Sequence, residues 1–310
     1  MKMSDFKSPR ELLNAYKEGF VGSYCDPEDV DKLLGELPHP LFGAAAYDLS
    51  DTGKGKVALL YKNVQKFDPG FGPSERQSTG DCVSHSTRNS IDVTRSTEII
   101  GGDREEFVAR SATEAIYGSR GHGGQGMSCS GAARFVHQSG GILLRKDYGF
   151  VNLSKYNGSL GAGWGRRGVP SDVVTEGKKH QVKTISLIST VEEARDAIAN
   201  GYAISVCSGY GFSSRRDKHG IASRKGGWSH AMAWVAMDDS HEIYNETLFL
   251  VQNSWGVWNG GPKRLDQPDG SFWIREKDAR GMLSQRGAWV LSDVDGFPPR
   301  KVDWTLDKVF

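Results

Sequence analysis

The chain has 310 residues, 39 basic against 38 acidic, for a net charge of +1. That balance gives no electrostatic reason to expect nucleic acid or an anionic membrane as partner, and 37% hydrophobic residues exclude a disordered chain. No apolar run approaches the ~18 residues that cross a bilayer, and residues 1–20 lack the apolar stretch of a secretory signal.

Four thinly spread cysteines, Cys25, Cys82, Cys129 and Cys207, do not form a disulfide framework, and individual bridges stay open because sequence gives no Cα separations. They fit a reducing compartment, so a cytoplasmic location is expected. Glycine, at 39 residues, points to many turns.

In chain order, Ser8-Pro9-Arg10-Glu11 predicts one helix start, and Asp26-Pro27 predicts another before "VDKLLGEL". "KVALLYK" predicts a strand, and "FDPGFGPSERQSTGD" a loop. The segment "CVSHSTRNSIDVTRSTEII", beginning at Cys82, can be helical despite its many Ser and Thr residues. "REEFVARSATEAIYGSR" and "CSGAARFVHQ" read as two further helices, the second closing on Gly140-Gly141. Residues 145–185 look irregular. Thr190 and Glu193 form a capping box for a helix ended by Gly201, and "YAISVCS" is then a strand. From residue 228 onward, "HAMAWVAM", "TLFLVQNSW" and "SFWI" read as strands. Early helices and late strands predict an α+β fold with two lobes.

Cys82 follows Gly80-Asp81 at a predicted helix start, where the helix dipole favours a thiolate. A nucleophilic thiol needs a histidine to exchange its proton and donors for the oxyanion on the attacked carbonyl. Gln77 offers an amide donor. His230 opens an apolar strand, and Asn253 follows another, where its amide oxygen can fix the imidazole tautomer. Trp255 can shield that hydrogen bond. The Cys82-x-x-His85 pair lacks a second tight pair of ligands, so no metal is expected; His85 is read as a surface or packing residue. The basic stretch at residues 213–227 is read as a solvated loop.

In this order, Gln77 with Gly80-Asp81-Cys82, "GGQGMSCSGAARFVHQSGGI", "SHAMAWVAM" and "VQNSWGVWNGG" resemble the papain-like cysteine peptidases. The resemblance spans about residues 75–280, and its Asn-Ser-Trp-Gly element is the most specific part. It implies Cys82 as nucleophile, His230 as proton shuttle, Asn253 as its orienting partner, and Gln77 with the Cys82 N–H as oxyanion hole. It further implies Gly123 and Gly124 along the substrate cleft and Trp255 over the His230–Asn253 bond. No cofactor is implied, and the substrate is a polypeptide. The implied architecture is a helical lobe carrying Cys82 and a β-barrel-like lobe carrying His230 and Asn253. An N-terminal extension (1–60), a peptidase domain (61–285) and a C-terminal arm (286–310) are expected.

The chain departs from the family pattern in several places. Gln77 and Cys82 are five positions apart, where the family has six. Cys82 is followed by Val83-Ser84-His85, and the usual companion cysteine is missing, so the family's lobe-stapling disulfide is not expected. Two rival readings stand beside the peptidase. One is a papain-fold structural or virion-associated protein without activity, held in a larger assembly through its termini. The other is a related Cys-His amidase or transglutaminase-like acyltransferase, against which the "QNSWG" element argues.

Overall fold

The computed structural model describes residues 22–71, 75–101 and 109–300. The helix expected from Ser8 lies outside them, as does most of the region read as helical before Ala112. The elements run β1 (Ser23–Tyr24), α1 (Pro27–Glu36), α2 (Phe42–Ala45), β2 (Val57–Ala58), α3 (Tyr61–Phe67), α4 (Cys82–Ile100) and α5 (Glu114–Gly118). Next come β3 (Met127–Ser128), α6 (Cys129–Arg134), α7 (Gly158–Arg167), α8 (Ser171–Gly177), β4 (Thr184–Leu187) and α9 (Val191–Ala199). Last are β5 (Ile204–Arg216), β6 (Ala222–Asp238), β7 (Leu248–Gln252), β8 (Ser271–Arg275), α10 (Glu276–Leu283) and β9 (Ala288–Ser292). Among the described residues no helix is long and apolar enough to cross a membrane.

The α+β reading with two lobes holds. One core cluster gathers Val30, Leu33, Ile116, Ala132, Val136 and Trp164 in the helical part. The other gathers Trp234, Phe249, Leu250, Phe272, Trp273 and Met282 around the sheet. That sheet has seven strands in the order β4-β9-β5-β6-β7-β8, with β2 also paired to β6, and every pairing is antiparallel. It stays open, so the barrel-like lobe expected from the sequence is corrected to an open sheet. Strand β9 lies inside it, between β4 and β5, so the sheet continues into the segment expected as a C-terminal arm.

Helix α4 passes between the lobes and is buried along most of its length, polar side chains included. Its hydroxyls make this tolerable by bonding locally. Ser84 donates to Asp81 O, Ser90 to Ser86 O, and Ser96 and Thr97 to Val93 O. Ser86 pairs with Ser205 on β5, and Thr94 accepts from the Ala203 N–H. Its charges are matched: Arg88 reaches Glu75, Arg95 pairs with Asp293, and Glu98 with Arg300. A buried charge left alone would cost several kcal/mol, so these partners are a condition of the helix lying there.

Two local expectations fail for tertiary reasons. "KVALLYK" contributes only the short β2 before the chain turns into α3, which buries Tyr61 and Val64 on one face. The glycine-rich stretch in the region expected to be irregular is helix α7, capped by Asn157, whose side chain accepts from the Leu160 N–H. Glycines on both helices let α7 approach α5: a Cβ at Gly161 of α7 would lie 3.1 Å from Glu114 O, and one at Gly118 of α5 2.7 Å from Trp164 Cβ.

One bridge that the spacing left open is present. Cys129 on α6 and Cys207 on β5 form a disulfide with a Cα separation of 6.4 Å, a covalent tie between the lobes at another place than the family's. Cys25 and Cys82 remain thiols.

Candidate active site

Asp81 occupies the N-cap of α4 without a side-chain cap, so Cys82 is the first helical residue, at the positive end of a 19-residue helix. Cys82 is 1% exposed. Burial pushes its thiol up to about 12, against smaller opposing help from backbone hydrogen bonds at Ala231 and Val83. The dipole, worth about 0.3–1 kcal/mol, does not offset a shift of that size.

His230 sits on β6, opposite Ser208 of β5 and just before a register shift between these strands. Asn253 follows the last residue of β7. His230 Nε2 lies 2.7 Å from Asn253 Oδ1, and that same oxygen accepts from the Ser254 N–H at 2.7 Å. Two donors on one oxygen fix the amide's orientation, so Nε2 carries the proton and the neutral ring keeps its lone pair on Nδ1. Burial pulls the imidazole down to about 4, with the Asn253 hydrogen bond opposing and the His85 charge assisting. Trp255 stacks on the ring at a centroid distance of 4.4 Å, and Trp228 meets it edge-on at 6.0 Å. The imidazole is thus covered by two indole rings.

Gln77, Gly80, Cys82, His230 and Trp255 line one cavity of about 230 Å³. Gln77 is anchored across the lobes: its N–H donates to Ser254 O at 2.9 Å, and its Oε1 accepts from Ser254 Oγ at 2.6 Å. One Nε2 proton goes to Thr79 O at 2.9 Å. The short Gln77–Cys82 loop is held from outside by two residues the sequence did not single out. Gln125 Oε1 accepts from the Gly80 N–H and from Thr79 Oγ1, both at 2.6 Å. Tyr156 accepts from the Ser78 N–H at 3.0 Å and donates to Asp81 Oδ2 at 2.8 Å. A Gln after a glycine run and a Tyr before the Asn157 cap carried no signal of these contacts.

Gly123 and Gly124 are not among the residues lining that cavity. The Gly124 carbonyl accepts from Arg120 Nε, and a Cβ at Gly123 would lie 3.0 Å from Arg166 Nε. The backbone that pairs with an extended segment is β3, further along the chain, and the segment is the protein's own β1, which runs parallel to it. The Met127 N–H donates to Gly22 O at 3.0 Å, and Ser229 Oγ to Ser23 O at 2.7 Å. Gly22 lines the cavity with Cys82 and His230; it has φ +148° and lies against Ser229 too closely for any Cβ.

His85, read as a surface or packing residue, is fully buried, with Tyr156 edge-on at 5.1 Å and Arg88 Nη2 3.4 Å from its Nδ1. The basic stretch is likewise not a simple solvated loop. Arg216 is buried and donates to Pro262 O, Asn259 Oδ1, Ser271 O and Gly261 O, while Arg224 lies over the Tyr210 ring.

Comparison with solved structures decides the architecture. Xylellain, a cysteine protease from Xylella fastidiosa, is 17% identical, with 77% of this chain and 86% of that one aligned at a TM-score of 0.52. Procathepsin B S9 from Trypanosoma congolense is 13% identical, covering 93% of this chain and 89% of that one at a TM-score of 0.50. The fold is that of the papain-like cysteine peptidases. No family model and no curated protein matches the sequence itself. The papain-like fold thus persists here at identities too low to carry residue roles.

Proposed function

We propose that the chain is a cysteine-type peptidase using Cys82, His230 and Asn253, with Gln77 and the Cys82 N–H as oxyanion donors. The observation that carries this reading is the His230 Nε2–Asn253 Oδ1 bond of 2.7 Å beside Cys82 in one cavity. It leaves Nδ1 as an unprotonated base. With the thiol pushed up and the imidazole pulled down, the resting pair is neutral. The Cys82 proton passes to Nδ1 as sulfur attacks the peptide carbonyl. The first-turn N–H of Cys82 and the second Nε2 proton of Gln77 are the donors for the oxyanion. His230 then protonates the leaving amine, and a water activated by His230 hydrolyses the thioester. No cofactor enters this sequence.

A second reading, an inactive papain-fold scaffold, is favoured by one observation: the proposed nucleophile is 1% exposed, in a cavity also lined by the chain's own Gly22. Digestion of a denatured protein mixture, read by mass spectrometry, separates the two. Cleavage by the wild type, lost by at least 100-fold in folded Cys82→Ala and His230→Ala, supports the peptidase. No cleavage by the wild type or by Gly22→Val, which displaces the covering segment, refutes it. Transamidated rather than hydrolysed products move the assignment to an acyltransferase. The cytoplasmic expectation drew on the lack of a secretory signal and of a membrane span, with thinly spread cysteines as a supporting fit; the Cys129–Cys207 disulfide weighs against that last support.

A further inference from the structure

Three of the four cysteines lie near one another, apart from the thiol of the proposed chemistry. Cys129 opens α6 directly after β3, the strand that carries β1. Its bridge partner Cys207 lies on β5. Cys25 follows β1 as an unbridged thiol and lines a cavity of about 430 Å³ together with Cys207. Gly287 lies at the contact. The Cβ it lacks would sit 2.5 Å from Cys25 Sγ, 2.7 Å from Cys207 O and 3.1 Å from Cys207 Cβ. The absent methyl leaves room for the Cys25 sulfur beside the Cys207 side chain.

We propose that Cys25, Cys129 and Cys207 form a thiol–disulfide exchange site that fastens the segment running on from Gly22, which lines the cavity of Cys82 and His230. Cys25 gives its proton to water, and its thiolate attacks Sγ of Cys207. The Cys25–Cys207 bond forms as the Cys207–Cys129 bond breaks. Cys129 leaves as a thiolate and takes up a proton, so no external oxidant or reductant is needed. Before exchange, residues 22–24 are held by hydrogen bonds to Met127 and Ser229. After it, their continuation is covalently joined to β5, while α6 loses its tie to the sheet. Burial pushes the Cys25 thiol up to about 12, so the rate should rise about tenfold per pH unit below that value. The meaning of the exchange as control of a peptidase rests on the function proposed above; the exchange itself does not.

The test is disulfide mapping of the full chain by non-reducing digestion and mass spectrometry. Folded Cys129→Ser, treated with oxidised glutathione, should form a Cys25–Cys207 bridge. If Cys25 and Cys207 instead stay thiols or carry separate glutathiones, the proposal is overturned. Wild type held at pH 9 and quenched in acid decides the matter should that variant fail to fold. A new free Cys129 with a Cys25–Cys207 bridge supports exchange; Cys129–Cys207 as the lasting sole bridge refutes it. Fastening is read separately, as at least tenfold slower iodoacetamide labelling of Cys82 in the exchanged form than in Cys25→Ser, and equal rates overturn that part. None of these readouts uses peptide cleavage, so a failed exchange and a failed peptidase reading are told apart.

Discussion

The reactivity of Cys82 in the folded chain is set by what covers it. Burial moves its thiol from 9.0 to about 12, and each unit is a factor of ten in thiolate at neutral pH. Native Cys82 should therefore alkylate about a thousandfold more slowly at pH 7 than an ordinary thiol, with a tenfold rise per pH unit up to pH 9. Because His230 is pulled down to about 4, His230→Ala should change this profile little above pH 6. Gly22→Val is the informative perturbation. Any Cβ there runs into Ser229, so residues 22–24 must lift, water must reach the sulfur, and the rate should climb toward that of an exposed thiol. The assay is iodoacetamide labelling from pH 5 to 9, mapped at each cysteine, with the guanidinium-unfolded chain as reference. Rapid native labelling below pH 6, abolished by His230→Ala, would refute the reasoning, because a thiolate–imidazolium pair would then exist despite burial. Unchanged protection in folded Gly22→Val would show that something other than residues 22–24 shields the sulfur.

Two further outcomes are expected. Gln125→Ala and Tyr156→Phe each strip partners from the loop before Cys82, and each should cost about 1–3 kcal/mol in urea unfolding. A loss below 0.5 kcal/mol in both would mean the loop holds itself. Burial raises the Glu98 carboxyl above the usual carboxylate range, against the opposing Arg300 charge, so above pH ~4.5 the folded state holds proton that the unfolded chain releases. Its contribution is therefore full below pH ~4.5 and is lost as pH rises through the raised folded-state value, above which the carboxylate pairs with Arg300. Glu98→Gln should flatten the fall in Tm across that window, and an unchanged slope would assign the effect elsewhere.

The features legible in the sequence were those written in local chemistry. Asp26 caps α1 and Thr190 with Glu193 forms the capping box of α9, both as their spacing implied. Helix α4 begins at Cys82, and Gln77, Cys82, His230 and Trp255 meet in one cavity, with Asn253 bound to His230. What was not legible depends on contacts between distant segments. The burial of α4 follows from partners such as Ser205, Asp293 and Arg300 that no periodicity reveals. Helix α7 forms from a glycine-rich stretch because its close packing on α5 requires small residues. The Cys129–Cys207 bridge joins residues 78 positions apart, and such pairing needs Cα positions rather than spacing.

Ser254 deserves a last consideration for the three bonds it makes. Its N–H fixes Asn253, while its carbonyl and hydroxyl both hold Gln77 on the opposite lobe. The groove is thus latched at its own chemical centre, and spreading the lobes there would break two hydrogen bonds, at about 1 kcal/mol each. Gly22, just before the strand paired with β3, lines the same cavity, so the chain bounds it both by a latch between distant segments and by its own backbone.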